Sequence, residues 1–274
     1  MRQQLHFFAL IFALLALATN LSVAQQPAPK PSTPAKPAAQ STAPTPSAFE
    51  QWRASRLQMF MDDFAELSHY RAENQRLKLP SPGENRVVFF GDSITDLWPL
   101  SEYFPGRPYI NRGISGQTTS QMLIRFQQDV VALHPAAVVI LAGTNDIAGN
   151  TGPMRIEDIE ANYTSLAELA AANSIKLIFS SVTPVNNYTP QSQENFAARP
   201  PEKILALNQW LKLYCAPHAC TYLDYFSSMV DAHGLLQKDL ADDGLHPNKA
   251  GYRIMAHLAE EAIQKALKNG QEPR

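Results

Sequence analysis

The sequence predicts an α/β protein, a three-layer α/β/α sandwich built on a five-stranded parallel sheet. Five short, almost wholly apolar segments alternate with longer segments in which apolar residues recur at helical spacing. Such strands are typical of a parallel sheet, because helices cover both of its faces. The formal net charge of -2 gives no general attraction to phosphate backbones, so a nucleic-acid partner is not expected.

The pattern of apolar residues places each element along the chain. Residues 48–78 predict one N-terminal helix packed on the domain, with Trp52, Leu57, Phe60 and Phe64 at helical spacing. The predicted strands are 86–90, 108–111, 136–142, 175–182 and 221–224. The other predicted helices are 118–133, 155–172, 201–215 and 248–267. These elements form one domain over residues 48–268, with 269–274 as a tail.

The first 24 residues have the pattern of a secretory signal peptide. Residues 7–18 are an unbroken apolar run, and Ser22-Val23-Ala24 supplies the small residues of a cleavage site. A retained membrane anchor is the alternative, although the run is shorter than the roughly 20 residues that a spanning helix needs. We therefore expect cleavage near Ala24 and a periplasmic or extracellular protein.

Residues 25–47 predict a disordered linker. The segment contains seven prolines, no acidic residue and no aromatic residue. It offers too little apolar surface to offset the entropy lost on ordering.

Polar residues follow the predicted strands at the points where ligands bind parallel sheets. Ser93 follows the first strand, Gly113 the second and Asn145 the third. Asp243 and His246 follow the fifth strand, three residues apart. Acyl transfer needs a nucleophile, a base, a residue that orients the base, and donors for the oxyanion. The chain therefore carries every group that this chemistry requires.

Taken in order, these blocks resemble the SGNH hydrolases, also called the GDSL esterase/lipase family, over residues 84–268. The resemblance implies a flavodoxin-like strand order of 2-1-3-4-5 and hydrolysis of carboxylic esters without a metal or cofactor. It implies that Ser93 is the nucleophile, that His246 is general base and then general acid, and that Asp243 orients His246. It also implies an oxyanion hole formed by the backbone N–H groups of Ser93 and Gly113 and the side-chain amide of Asn145.

Structural alternatives exist for each of these residues. Ser93 could be only a helix N-cap, His246 an ordinary histidine of a capping loop, and Asn145 only a turn residue. Asp242 could orient the histidine in place of Asp243. Asp92 and Asp146 are expected to hold their loops through backbone hydrogen bonds, although a metal site built from both with His246 is conceivable.

Cys215 and Cys220 are the only cysteines in the chain. In an exported protein the expected state is a local disulfide, and two buried free thiols are the alternative.

The expected substrate is a short-chain acyl ester, such as an acetylated carbohydrate, because no apolar insertion follows a strand. The longest candidate segment, 183–202, is mostly polar and is expected to border a shallow pocket beside Ser93. A lysophospholipase or thioesterase of the same family is the alternative activity, and a non-catalytic glycan-binding domain is the alternative class. No partner protein is implied.

Overall fold

The computed structural model describes residue 46 and residues 48–268. The predicted signal peptide (1–24), the linker (25–47) apart from residue 46, and the tail (269–274) lie outside the described residues. Among the described helices, none combines the length and the apolar character needed to cross a membrane.

The centre of the domain is a parallel sheet of five strands in the order β2-β1-β3-β4-β5. The strands are β1 (Val87–Gly91), β2 (Tyr109–Gly113), β3 (Ala137–Leu141), β4 (Lys176–Ser180) and β5 (Cys220–Leu223). In register, Gly91 at the end of β1 lies beside Gly113 of β2 and Leu141 of β3. The predicted fold class and strand order are confirmed, and the carboxyl ends of the central strands meet at one edge.

Eleven helices surround the sheet in the described part of the chain. They are α1 (Ala48–Asp63), α2 (Arg71–Arg76), α3 (Ser93–Asp96), α4 (Leu100–Tyr103), α5 (Thr119–Asp129), α6 (Thr144–Ile147), α7 (Ile156–Ala172), α8 (Ser192–Ala197), α9 (Pro201–Cys215), α10 (Phe226–Met229) and α11 (Lys249–Lys268). Short 3₁₀ turns lie at Val131–Leu133 and Lys238–Leu240.

Two hydrophobic layers cover the two faces of the sheet because successive strand residues point to opposite sides. Val88 and Phe90 of β1 face the layer that contains α5, α7 and α9. Val87 and Phe89 face the layer that contains α11 and the aromatic residues around Trp98. All four side chains are buried, so each contributes about 1.5–3 kcal/mol of hydrophobic stabilisation.

The prediction of a single helix over residues 48–78 is wrong, because the chain turns between α1 and α2. The Asp63 carboxylate accepts hydrogen bonds from the backbone N–H groups of Leu67 (2.8 Å) and Ser68 (2.9 Å), and this contact ends α1. Glu66 within the turn has a φ of 53°, which is incompatible with a continuous right-handed helix. The turn brings the Tyr70 hydroxyl to the carbonyl of Gly113 at the end of β2.

Cys215 and Cys220 form a disulfide that joins the end of α9 to the start of β5, with 5.0 Å between their Cα atoms. The loop that it closes is short, so its effect on chain entropy is small.

Replacing both cysteines with serine is expected to lower the free energy of unfolding by about 2 kcal/mol or less. Denaturant titration of oxidised wild type and the double variant measures this difference, and reduced wild type is the matched control. Alkylation of denatured, unreduced protein from an oxidising compartment should detect no free thiol. Two alkylated cysteines would contradict the disulfide.

Candidate active site

Ser93, His246 and Asp243 are joined by two hydrogen bonds at the carboxyl edge of the sheet. His246 Nε2 lies 2.9 Å from Ser93 Oγ, and His246 Nδ1 lies 2.6 Å from Asp243 Oδ2. An ionised carboxylate can only accept, so Nδ1 carries the proton and Nε2 is free to accept from the serine hydroxyl. This is the arrangement in which a histidine can remove a proton from a serine.

Hydrogen bonds hold Asp243 in place and keep it ionised. Its other oxygen, Oδ1, accepts from the backbone N–H groups of His246 (2.8 Å) and Leu245 (3.0 Å). Partial burial opposes ionisation, but the bonds from the His246 ring and these two N–H groups hold the pKa of Asp243 well below its usual range. Asp242 instead accepts from the side chain of Asn248 at 3.3 Å. The geometry therefore places Asp243, and not Asp242, against His246.

Ser93 is the first residue of α3, directly after β1 and its neighbour Asp92. The Asp92 side chain accepts from the Ile94 N–H at 3.0 Å and so caps this short helix. The preceding Gly91 has no room for a side chain, since a Cβ there would lie 2.7 Å from the carbonyl oxygen of Leu141. The tight strand-to-helix turn presents Ser93 at the edge of the sheet.

Gly113 does not occupy the position expected of an oxyanion-hole donor. Its N–H donates to Asn111 Oδ1 at 2.8 Å, and the residue is not part of the pocket wall that contains Ser93. A Cβ at Gly113 would lie 2.1 Å from the backbone nitrogen of Asp96. The requirement for glycine here is close packing of β2 against α3, and the expectation for Gly113 is corrected accordingly.

Gly116 lies in the pocket wall with Ser93 and Asn145. It has a φ of 83°, a conformation that favours glycine. Asn150 holds this turn by donating from Nδ2 to the Gly116 carbonyl at 2.9 Å. Within the described residues, no acceptor takes the N–H of Gly116 or that of Ser93. Both N–H groups are therefore available to a ligand.

The side chain of Asn145 is 3% exposed and has a fixed orientation. Arg199 Nη2 donates to Asn145 Oδ1 at 3.2 Å, and Asn145 Nδ2 donates to the Gln117 carbonyl at 3.0 Å. A guanidinium can only donate and a carbonyl can only accept, so the two contacts determine which amide atom is nitrogen. One Nδ2 hydrogen remains after the bond to Gln117.

Arg199 is itself buried, at 5% exposure, and also lines the pocket. Its Nε donates to Thr144 Oγ1 at 3.0 Å. Burial lowers the pKa of Arg199 to about 10, while the carboxylates of Asp92 and Asp243 favour its charged form. A buried positive charge thus lies against the amide of Asn145.

Asp92 and Asp146 make the loop contacts expected of them. Asp146 accepts from the N–H of Thr119 at 2.9 Å and also from its hydroxyl, which joins α6 to the start of α5. Burial raises the pKa of Asp92 to about 7 and that of Asp146 to about 6. Among the described residues, neither carboxylate hydrogen-bonds to His246, so the geometry favours a structural role.

The pocket beside Ser93 has a volume of about 500 Å³. The segment 183–202 contributes to its wall, as the polar character of that segment led us to expect. The residues of this segment that line the pocket are Gln191, Glu194, Asn195, Ala198 and Arg199. Trp52 and Arg56 of α1 also line it, as do Leu97 and Leu245.

Sequence reasoning missed Gly116, Arg199 and Trp52. The sequence offered a signal for Gly116, because Gly113-Ile114-Ser115-Gly116 contains two glycines, one at the end of β2 and one three residues later, and the prediction named only the first. No local sequence motif marks Arg199 or Trp52 as a pocket residue, because only the tertiary fold brings each of them to the pocket.

The GDSL-like Lipase/Acylhydrolase family model matches residues 89–254, which include Ser93, Asn145, Asp243 and His246. The chain is 31% identical over 122 residues to the lipoprotein YqeF of Bacillus subtilis (strain 168), a match that covers 38% of the chain. The match covers 50% of that curated relative, so the chain spans about half of its length.

Solved structures with the same architecture include a GDSL-like lipase from Bacteroides thetaiotaomicron VPI-5482. It is 42% identical, with a TM-score of 0.69 over 74% of this chain and 100% of the other. An acylhydrolase candidate from Bacteroides fragilis NCTC 9343 is 41% identical, with a TM-score of 0.70 over 75% and 99%.

An acetylxylan esterase from Geobacillus stearothermophilus shares the fold at 23% identity, with a TM-score of 0.54 over 68% of this chain and 96% of the other. The family match covers more than half of the chain and includes the edge at which the serine, histidine and aspartate meet. The chain therefore belongs to the GDSL-like lipase/acylhydrolase family, the SGNH hydrolases, a family of carboxylic ester hydrolases.

Proposed function

We propose that the protein is an exported serine esterase that removes short acyl groups, chiefly acetyl, from carbohydrate esters. The observation that carries this proposal is the hydrogen-bonded series Ser93–His246–Asp243 at the wall of a pocket. A non-catalytic glycan-binding domain would not need a histidine that accepts a hydrogen bond from a serine hydroxyl.

In the proposed reaction, Ser93 Oγ attacks the ester carbonyl while its proton passes to His246 Nε2. Asp243 stabilises the imidazolium that forms, because its carboxylate faces Nδ1 and is held ionised. His246 then gives the proton to the departing alcohol oxygen, which leaves an acyl group on Ser93. Water activated by the same histidine releases the acid and restores the serine.

The oxyanion of the tetrahedral intermediate requires donors that are already in place. We assign this role to the N–H of Ser93, the N–H of Gly116 and the second Nδ2 hydrogen of Asn145. Each of these three groups lines the pocket and is left available by the hydrogen bonds described above. The amide of Asn145 is held by Arg199 and Gln117, so little reorganisation is needed when negative charge develops.

The composition of the pocket supports a short acyl group. Its aliphatic side chains are Leu97, Ala198 and Leu245, and most of the other residues that line it have polar side chains. A long acyl chain needs a continuous apolar channel, in which each buried methylene would contribute about 0.8 kcal/mol. The described wall offers no such channel.

Across p-nitrophenyl esters of two to eight carbons, kcat/KM is expected to be highest for acetyl or propionyl and to fall between butyryl and hexanoyl. Steady-state kinetics with the series of esters measures this profile, and each ester's spontaneous hydrolysis is subtracted as its control. A maximum at six or eight carbons would favour the lysophospholipase or thioesterase alternative.

Export is supported by the apolar N-terminal run and by the disulfide between Cys215 and Cys220. The similarity to a lipoprotein is in keeping with a location in the cell envelope. We propose cleavage near Ala24 and release on the outer side of the membrane. N-terminal sequencing of the exported protein tests the cleavage.

A further inference from the structure

Helix α1 forms part of the active-site wall, although it precedes the family-matched region. Trp52 and Arg56 of this helix line the same pocket as Ser93 and His246. The ring of Trp52 lies against the backbone of Gly116, since a Cβ on that glycine would be 2.8 Å from Trp52 Cζ2. Helix α1 therefore places an aromatic ring beside the reacting groups.

Arg56 contacts the indole ring and also lines the pocket. Its guanidinium carbon lies 5.6 Å from the centre of the Trp52 ring, within the range of a cation–π contact. Its Nη2 donates to Glu66 Oε1 at 2.8 Å. Its Nε is buried and makes no hydrogen bond within the described residues. A guanidinium carries five N–H donors, and Arg56 lines the pocket, so it can also donate to a ligand there.

Helix α8 and the residue before it add amide and carboxylate groups to the pocket through Gln191, Glu194 and Asn195. An aromatic ring presents an apolar surface to the C–H face of a sugar, whereas amides, carboxylates and guanidinium groups bond its hydroxyls. A lipid tail offers no hydrogen-bond partner to side chains of this kind and would remove water from them. An aromatic ring together with these polar side chains therefore suits a carbohydrate. The size of the pocket agrees with this, because an acetyl group alone would leave much of its volume of about 500 Å³ unfilled.

We propose that α1 builds the subsite for the alcohol part of the substrate, in which Trp52 packs against a sugar ring and Arg56 donates to its oxygens. This inference rests on the esterase function proposed above and identifies the residues that select its substrate. Trp52 is a specificity-determining residue here, since it touches the alcohol and takes no part in the proton transfers.

The helix should tolerate substitution, because much of its apolar surface is exposed. Leu57 is 61% exposed and Met61 is 84% exposed. Leu57→Ala is a matched control on the same helix, since Leu57 does not line the pocket. Trp52→Phe tests whether a smaller aromatic ring restores function.

The experiment compares two acetyl esters with the full-length protein. Acetate release is measured from partially O-acetylated xylo-oligosaccharides and from ethyl acetate, whose alcohol is too small to reach the subsite. Trp52→Ala is expected to raise KM for the oligosaccharides about tenfold or more and to leave kcat/KM for ethyl acetate within about twofold of wild type. Trp52→Phe should restore most of the affinity, and Leu57→Ala should behave as wild type.

An unchanged KM for the oligosaccharides in Trp52→Ala would overturn the subsite alone. An equal loss of activity on both esters would do the same, because it would make Trp52 a support for the Gly116 turn. Wild type that hydrolyses ethyl acetate and lysophosphatidylcholine but no acetylated sugar would also overturn it. Wild type that releases acid from no ester would instead refute the esterase function itself.

Discussion

Ser93→Ala is expected to lower kcat/KM for p-nitrophenyl acetate by about 10⁴-fold or more, because the variant lacks the hydroxyl that we propose forms the acyl intermediate. The fold should survive, since the change removes one hydroxyl, which hydrogen-bonds to His246 Nε2 at 2.9 Å. Steady-state kinetics and thermal unfolding of wild type and variant measure the two effects. Near wild-type turnover in the variant would refute the proposed mechanism.

A phosphonate ester probe provides an independent test of the nucleophile. Ser115 lines the same pocket, but its hydroxyl donates to Asp96 Oδ2 at 2.5 Å and has no histidine partner. Peptide mapping after labelling should find the phosphonate on Ser93 and none on Ser115. Ser101→Ala, on the exposed surface of α4, is the control for serine replacement. A label on Ser115 would assign the chemistry to a different residue.

The sheet could be predicted because its strands carry a strong local signal. β1 and β3 are buried along their full length, so both read as uninterrupted apolar runs. Longer helices such as α7 and α9 could also be predicted, because apolar residues recur along them at helical spacing. Helices of one turn, such as α3 and α6, could not, because four residues are too few to display a helical period.

The break between α1 and α2 was hidden for a different reason. It depends on the Asp63 carboxylate bonding to the N–H groups of Leu67 and Ser68, which competes with helix formation. Apolar residues continue at helical spacing through Phe64 and give no warning of it. A side chain that ends a helix therefore gives a weaker sequence signal than the hydrophobic periodicity that it interrupts.

Within the candidate site, short sequence blocks pointed to Ser93, Asp243 and His246. The structure brings these three residues together. Asp243 and His246 lie in one turn, so their spacing itself encodes their contact. The choice between Gly113 and Gly116 depended on which N–H the surrounding chain leaves available, and that is a tertiary property. Arg199 is 54 residues from Asn145 in sequence, and only the folded chain reveals their contact.

Asn145→Ala is expected to lower kcat by about 10²–10³-fold, the range for loss of one oxyanion-hole donor. KM should change little, because the amide acts on charge that develops only in the transition state. Steady-state kinetics with p-nitrophenyl acetate measures both constants. An effect confined to KM would make Asn145 a substrate-binding residue.

A double-mutant cycle tests whether Arg199 acts through this amide. Arg199→Met leaves the Asn145 amide present but removes the donor that orients its oxygen, so kcat should fall by less than in Asn145→Ala. If Arg199 only positions the amide, Asn145→Ala with Arg199→Met should be no slower than Asn145→Ala alone. Additive losses in the double variant would mean that Arg199 acts on the substrate directly. Because Arg199 also holds Thr144, thermal unfolding of each variant controls for a local loss of structure.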